Sequence, residues 1–222
     1  MGAPGGPGDL YRFRFGPEER ARKARVWRVL CERFFQRLVP ERGVVLDVGC
    51  GFGEFLNHVR AARRIGLDLD PGAKAHLAEG VEFHEASALD LGHFPESLAD
   101  LIFCSNLLEH LPSKAEVDRF LAMARRALRP GGALLVLGPN IRCTKGAYWD
   151  FWDHHVPLTE KSLAEAMHLA ELEVDLSIAR FLPYTTKGAM PQHPLLVRLY
   201  LAVPLAWRIF GAQFLVRGVR RP

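Results

Sequence analysis

The stretch Val44-Val45-Leu46-Asp47-Val48-Gly49-Cys50-Gly51-Phe52-Gly53-Glu54-Phe55 decides how this chain folds. An apolar strand runs into three glycines at alternate positions and then into residues with helical spacing. Glycine is needed where the backbone turns sharply and a ligand must approach without a Cβ in the way. A helix starting there would offer free N–H groups to polar ligand atoms. Two familiar nucleotide-binding patterns do not fit. The dinucleotide fingerprint needs a small sixth residue, where Glu54 stands, and no Gly-Lys-Ser/Thr of a P-loop occurs.

Outward from this motif, short apolar runs alternate with helical stretches. Val44–Val48, Arg64–Leu69, Val81–Glu85, Leu101–Cys104 and Ala133–Leu137 read as strands. Glu54–Ala62 and Ala115–Leu128 have helical spacing, and Arg129-Pro130-Gly131-Gly132 is a stop-and-turn signal. Alternating β and α with apolar strands predicts a doubly wound α/β fold on a mostly parallel sheet. Pro17 to Val39 reads as an amphipathic helix, with Trp27, Leu30, Cys31, Phe34, Phe35 and Leu38 on one face. Thr159 caps a further helix. Val174–Ile178 and Gln213–Val219 alternate as half-exposed strands, and a Pro-punctuated apolar segment, 184–210, lies between them. The expected organisation is a flexible start over 1–9, a helical cap over 10–42 and one domain over 43–222, with 184–210 inserted in it.

Composition agrees with one globular domain. The chain has 222 residues, 49% hydrophobic and 24% charged, with a mean hydropathy of 0.00. The formal charge is +4, and the excess is local: residues 1–42 hold ten Lys/Arg against five Asp/Glu. Cys31, Cys50, Cys104 and Cys143 form no CxxC pair and no zinc spacing, which reads as reduced thiols in a cytosolic protein. No signal peptide is visible at the start. The run from Leu199 to Trp207 is far shorter than the about 20 apolar residues that span a bilayer.

A second motif narrows the function. Gly66-Leu67-Asp68-Leu69-Asp70-Pro71 places a carboxylate at the carboxyl edge of the neighbouring strand, where an acid can accept both hydroxyls of a ribose. LDVGCGFGEF, GLDLDP, CSNLLEHLP and RALRPGGALLVLGPN, taken together over about residues 40–180, resemble the class I S-adenosylmethionine-dependent methyltransferases. Stretches at 140–142, 148–159 and 181–187 also resemble a bacterial subgroup associated with glycan or secondary-metabolite clusters. The resemblance implies a Rossmann-like seven-stranded sheet with an antiparallel terminal strand and helical additions at the N-terminus and before the last strand. It implies S-adenosylmethionine as cofactor. Asp47 and the backbone at Gly49, Gly51 and Gly53 would hold the methionine part. Asp68 would take the ribose, and Leu69 would pack beside the adenine. Ser87 and Ala88 stand where the family reads the adenine edge, although Ser87 replaces the acid usual there. Asn106 and Leu107 would line the floor near the sulfonium.

Methyl transfer is an in-line displacement, governed by positioning and desolvation. An oxygen acceptor also needs a base, and histidine is the usual one. Three candidates follow strands four and five: His155 first, then His154, then His110, each also readable as a loop-pinning residue. The His154–His155 pair has no third group at metal-ligand spacing, so no metal is expected. The other histidines read as surface or packing residues. The position after the fourth strand reads Ser105-Asn106-Leu107-Leu108 and lacks the Pro-Pro-Tyr signature of base N-methylation; Cys104 has no Pro before it. Nucleic acid is thus disfavoured as substrate. The sequence predicts a cytoplasmic methyltransferase acting at oxygen on a small or carrier-linked acceptor, with a peripheral membrane contact through 184–210 as one reading of that segment. A silent cofactor-binding subunit and an aminopropyl-transfer enzyme are the rivals.

Overall fold

The computed structural model describes residues 16–184 and 193–221. The expected flexible start over 1–9 lies outside the described residues. Strands β1 (Val44–Val48), β2 (Arg63–Asp68), β3 (Val81–Glu85), β4 (Ala99–Ser105), β5 (Leu128–Pro139), β6 (Leu172–Leu182) and β7 (Gln213–Arg220) form one sheet in the order β3-β2-β1-β4-β5-β7-β6. The first five are parallel; β7 is antiparallel to both β5 and β6. The order reverses between β1 and β4, and ligands in such sheets bind outside the carboxyl ends at that point.

The inner strands are largely apolar because both faces of the sheet are covered. On one face Leu46, Ile65, Ile102 and Leu134 pack under helices α2 (Lys114–Ala127) and α4 (Glu160–Leu169). The four-residue helix α3 (Ile141–Thr144) lies between β5 and α4. On the other face Val45, Phe103 and Leu135 meet an aromatic cluster built on α1 (Pro17–Arg33). There Trp27 stacks on Phe35 and Phe55 stacks on Phe103, with ring centroids 5.8 Å and 3.9 Å apart. The expected helix to Val39 breaks at Phe34 (φ −129°, ψ −63°) and resumes as a 3₁₀ turn, Phe35–Leu38. The break turns Phe34 and Phe35 edge-to-face and sets both against Phe181.

Three expectations need correction. Residues 51–58 form a run of turns rather than a regular helix at Glu54–Ala62. Phe55, Leu56 and Val59 are buried at helical spacing, but side-chain hydrogen bonds tie the segment to its neighbours in the fold. Asn57 donates to the His76 carbonyl, Arg64 to that of Leu56 and Gln36 to that of Arg60. Strand β5 starts at Leu128, so the Pro-Gly-Gly signal lies inside an irregular strand and not before it. Finally, β7 is largely buried, because β6 covers its other edge; only β6 alternates as expected of an edge strand. The segment before β7 contains two short helices, α5 (Pro194–Ala202) and α6 (Pro204–Phe210).

Candidate active site

At the end of β1 the backbone turns back on β2. The N–H groups of Gly49 and Cys50 both donate to the Leu67 carbonyl, at 2.8 and 3.1 Å. Gly49, Gly51 and Gly53 all have φ between 50° and 74°, a region that excludes most side chains. At Gly49 space is lacking as well, since a Cβ would stand 3.1 Å from Leu107 Cδ1. This contact brings Leu107, beyond β4, against the glycine loop. The neighbouring Asn106 is itself left-handed (φ 49°), and its N–H donates to the Leu137 carbonyl.

Asp68 is fixed by the same loop. Its Oδ2 accepts from Gly51 N–H at 2.8 Å and its Oδ1 from Asp70 N–H at 2.9 Å. Each carboxylate oxygen has a second lone-pair direction, so an oriented Asp68 can still take the two hydroxyls of a ribose. Leu69 beside it is 57% exposed. Ala86 N–H donates to the Asp68 carbonyl, which places Ser87 and Ala88 at the same edge. The Ser87 hydroxyl and the Asp90 carboxylate form a capping box on the following 3₁₀ turn.

Asp47 is nearly fully buried under this loop. Burial, then the charges of Glu54 and Asp68, hold its carboxyl well above the usual carboxylate range. Asp68 is also raised, chiefly by burial, with the two backbone N–H groups opposing the shift. Lys23, from α1, pairs with Glu54 at 2.8 Å, and Arg20 lies over the Phe52 ring. The cradle thus gathers three carboxyl groups against one ammonium. That charge balance and the Cβ-free backbone fit a ligand with a sulfonium, an ammonium and a ribose.

A second cluster forms beyond β4, where a 3₁₀ turn (Leu108–His110) meets the loop after β5. The Glu109 carbonyl accepts from the N–H groups of His155 and Val156, which clamps the loop over the turn. His110 Nδ1 lies 3.1 Å from both the Oδ2 and the carbonyl oxygen of Asp153. His154 is buried between the rings of Tyr148 and Phe151 and lies 4.8 Å from the His110 ring. The Glu109 side chain is buried beneath them, and burial, with a smaller contribution from Asp153, pushes its pKa up to about 8. Glu109, His110 and His154 bring one potential metal-ligand atom each to within 4.8 Å of one another. Sequence spacing around His154 and His155 had offered no such third group.

The structure thus brings His110 and His154 together, while the imidazole of His155 is exposed. Asn140, just after β5, is fully buried; its amide donates to Glu160 and Ala179, and its Oδ1 accepts from Arg142 N–H. Sequence reading missed Asp153, Glu109 and Tyr148 as members of the cluster. The adjacency of Glu109 to His110 and of Asp153 to His154 was the available signal.

Residues 19–177 match the family model described as methyltransferase domain. A Mycolicibacterium smegmatis protein named a probable S-adenosylmethionine-dependent methyltransferase is 31% identical over 144 residues, 62% of this chain and 54% of that one. The ubiquinone biosynthesis O-methyltransferase of Aromatoleum aromaticum is 34% identical over 97 residues, 40% of each chain. The chain spans about half or less of the length of these curated relatives. Its fold resembles a chain of the complex between the Haloferax volcanii Trm112 methyltransferase activator and a methyltransferase, with a TM-score of 0.72 at 17% identity, covering 99% of this chain and 100% of that one. A SAM-dependent methyltransferase from Archaeoglobus fulgidus gives 0.64 at 17% identity, with 97% and 100% covered. With its glycine cradle, oriented Asp68 and reversed strand order, this chain belongs to the class I methyltransferase family, and its cofactor is S-adenosylmethionine.

Proposed function

We propose that this protein transfers a methyl group to an oxygen of a small or carrier-linked acceptor, with His110 as the base. The observation that carries the reading is the contact of His110 Nδ1 with Asp153, 3.1 Å to Oδ2, directly beyond the strand whose end packs on the glycine loop. When bound, S-adenosylmethionine supplies an electrophilic methyl group on a sulfonium. Asp68 and the glycine backbone orient it, and Leu107 helps to close its floor. With Nδ1–H donating to Asp153, the His110 Nε2 carries the lone pair that takes the acceptor's proton. The imidazolium formed is then stabilised by the same carboxylate. His154, held between two rings, shapes the wall beside it. The O-methyltransferase names of several relatives support oxygen as the acceptor atom.

The test follows methyl transfer from labelled cofactor across a panel of phenolic, sugar and carboxylate acceptors. On an accepted hydroxyl substrate, His110→Ala is expected to lower kcat by roughly 10²–10⁴-fold with cofactor affinity unchanged. Asp153→Asn should lower kcat less and move the acidic limb of the pH profile downward, because the imidazolium loses its carboxylate. His154→Ala and His155→Ala serve as comparisons. Full activity of His110→Ala on a hydroxyl acceptor would overturn the assignment of the base.

A further inference from the structure

We propose that the outer face of α5 and α6, together with Arg33, Arg37 and Arg198, is a docking surface for an anionic phospholipid membrane. The inner faces of these helices are firmly anchored. The Tyr200 hydroxyl donates to the Phe181 carbonyl at 2.7 Å, Trp207 Nε1 donates to the Tyr200 carbonyl at 2.8 Å, and the Trp207 ring packs edge-on against Phe34 and Phe181. Apart from Arg198 and Arg208, the outer faces are also apolar. Leu195, Leu199, Leu205 and Ile209 are each more than 60% exposed, and Phe210 is 52% exposed. Large apolar side chains gathered in one patch mark an interaction site where scattered ones would not.

Charge identifies the occupant. Arg33 and Arg37, from the end of α1 and the turn after it, converge with Arg198 on an open cleft of about 350 Å³ beside Leu201 and Ala202. All three are exposed, and among the described residues no carboxylate pairs with them. Arg37 rests on the Phe34 ring, and apolar side chains flanked by guanidinium groups that no carboxylate neutralises match acyl chains beneath phosphate headgroups. Neither helix is long enough to cross a bilayer, so both would lie in its interface.

The two ends of the segment that carries α5 and α6 sit at the catalytic edge of the sheet, while the arginine cleft lies at the far end of α1 from the cradle, toward the start of β1. Strand β6 runs in the same direction as β5, so Leu182, before α5, and Gln213, after α6, lie at the carboxyl edge with Gly49 and Asn106. Tyr184 packs 5.8 Å from Phe151, which stacks on His154. A membrane held there would present a lipid-linked acceptor to the site. That last step rests on the proposed methyl transfer; the docking itself does not.

The test is co-sedimentation of the full chain with 100% phosphatidylcholine vesicles and with vesicles containing phosphatidylglycerol. Binding is expected to the anionic vesicles only and to weaken with salt. The triple variant Arg33→Gln/Arg37→Gln/Arg198→Gln should lose about 100-fold in partition coefficient, at roughly fivefold for each charge. Leu199→Ser/Ile209→Ser should reduce binding with the arginines intact. Calorimetry with S-adenosylmethionine on the same preparations separates the two claims. Cofactor binding without vesicle binding at low salt overturns the docking surface alone, and vesicle binding without cofactor binding overturns the methyltransferase reading alone. A wild-type dimer that Leu199→Ser/Ile209→Ser converts to monomer would also overturn it, since a second copy would then cover the face.

Discussion

The two halves of the site are built by different means. On the side of β1 and β2 the contacts come from backbone: N–H groups at 49–51, three left-handed glycines and one carboxylate that the N–H groups of Gly51 and Asp70 orient. On the side of β4 and β5 they come from side chains that meet only in the folded chain, His110 with Asp153 and Glu109 under His154. A backbone cradle depends on which residues are absent, that is, on where a Cβ is forbidden. A side-chain cluster depends on which residues are present and how the loop carrying them is clamped. The first tolerates no added atom, whereas the second can lose a group and still fold.

The sharpest way to break this contrast is at Gly51. With φ at 50°, and its N–H donating to Asp68, this position has a left-handed backbone that a β-branched residue adopts only under strain. Gly51→Val is expected to abolish S-adenosylmethionine binding in calorimetry while circular dichroism shows a folded protein. Retained affinity would mean that the cradle is not made by the backbone.

On the acceptor side the largest effect should be one of pH on stability. Glu109 titrates near 4.5 in an unfolded chain and at about 8 when buried. Between those values the folded state holds a proton that the unfolded state releases, so stability is full below about pH 4.5 and falls as pH rises to 8. The loss is about 1.4 kcal/mol for each pH unit in that window, a few kcal/mol at most. Glu109→Gln cannot ionise and should lack this component. In metal-free thermal melts the variant should match the wild type near pH 5 and exceed it near pH 8; parallel curves would remove Glu109 from the buried cluster. Asp47 and Asp68, also raised, contribute equally to both proteins.

How far the sequence could be read follows from the same contrast. Alternating glycines after an apolar strand state their own geometry, and Asp68 follows one strand later, so the cradle and the parallel core were legible. The run of turns at 51–58 was not, because the side-chain hydrogen bonds that tie it down reach across the fold, from Arg64 to the Leu56 carbonyl, from Gln36 to that of Arg60 and from Asn57 to that of His76. The pairing of His110 with Asp153 spans 43 positions and depends on the clamp at the Glu109 carbonyl. His154 and His155 share the same aromatic stretch of sequence, which does not show that the first is buried and the second exposed.

A more moderate effect belongs to Asp68. Asp68→Ala removes the acceptor for the ribose hydroxyls and also frees the Gly51 N–H. A charge-assisted hydrogen bond is worth about 1.5–3 kcal/mol, so the dissociation constant for S-adenosylmethionine should rise by at least about tenfold. Asp68→Asn keeps the shape and should fall between the two. An unchanged constant in both variants would place the ribose elsewhere.

The smallest expected effect tests whether the acceptor side gives up stability for its chemistry. Tyr148 is fully buried, yet its hydroxyl has no hydrogen-bond partner among the described residues. An unsatisfied buried hydroxyl costs about 1–3 kcal/mol, and packed rings at His154 and Trp149 hold it in place. Tyr148→Phe keeps those ring contacts and removes the orphan oxygen, so the melting temperature should rise by about 2–4 °C for each kcal/mol recovered. If the hydroxyl serves the acceptor, the same variant should also raise KM for the acceptor while leaving cofactor affinity unchanged. A more stable variant with an unaltered KM would make Tyr148 a packing residue alone. A less stable one would show that the hydroxyl is satisfied in solution, and the acceptor side would then hold no strain for ligand binding to relieve.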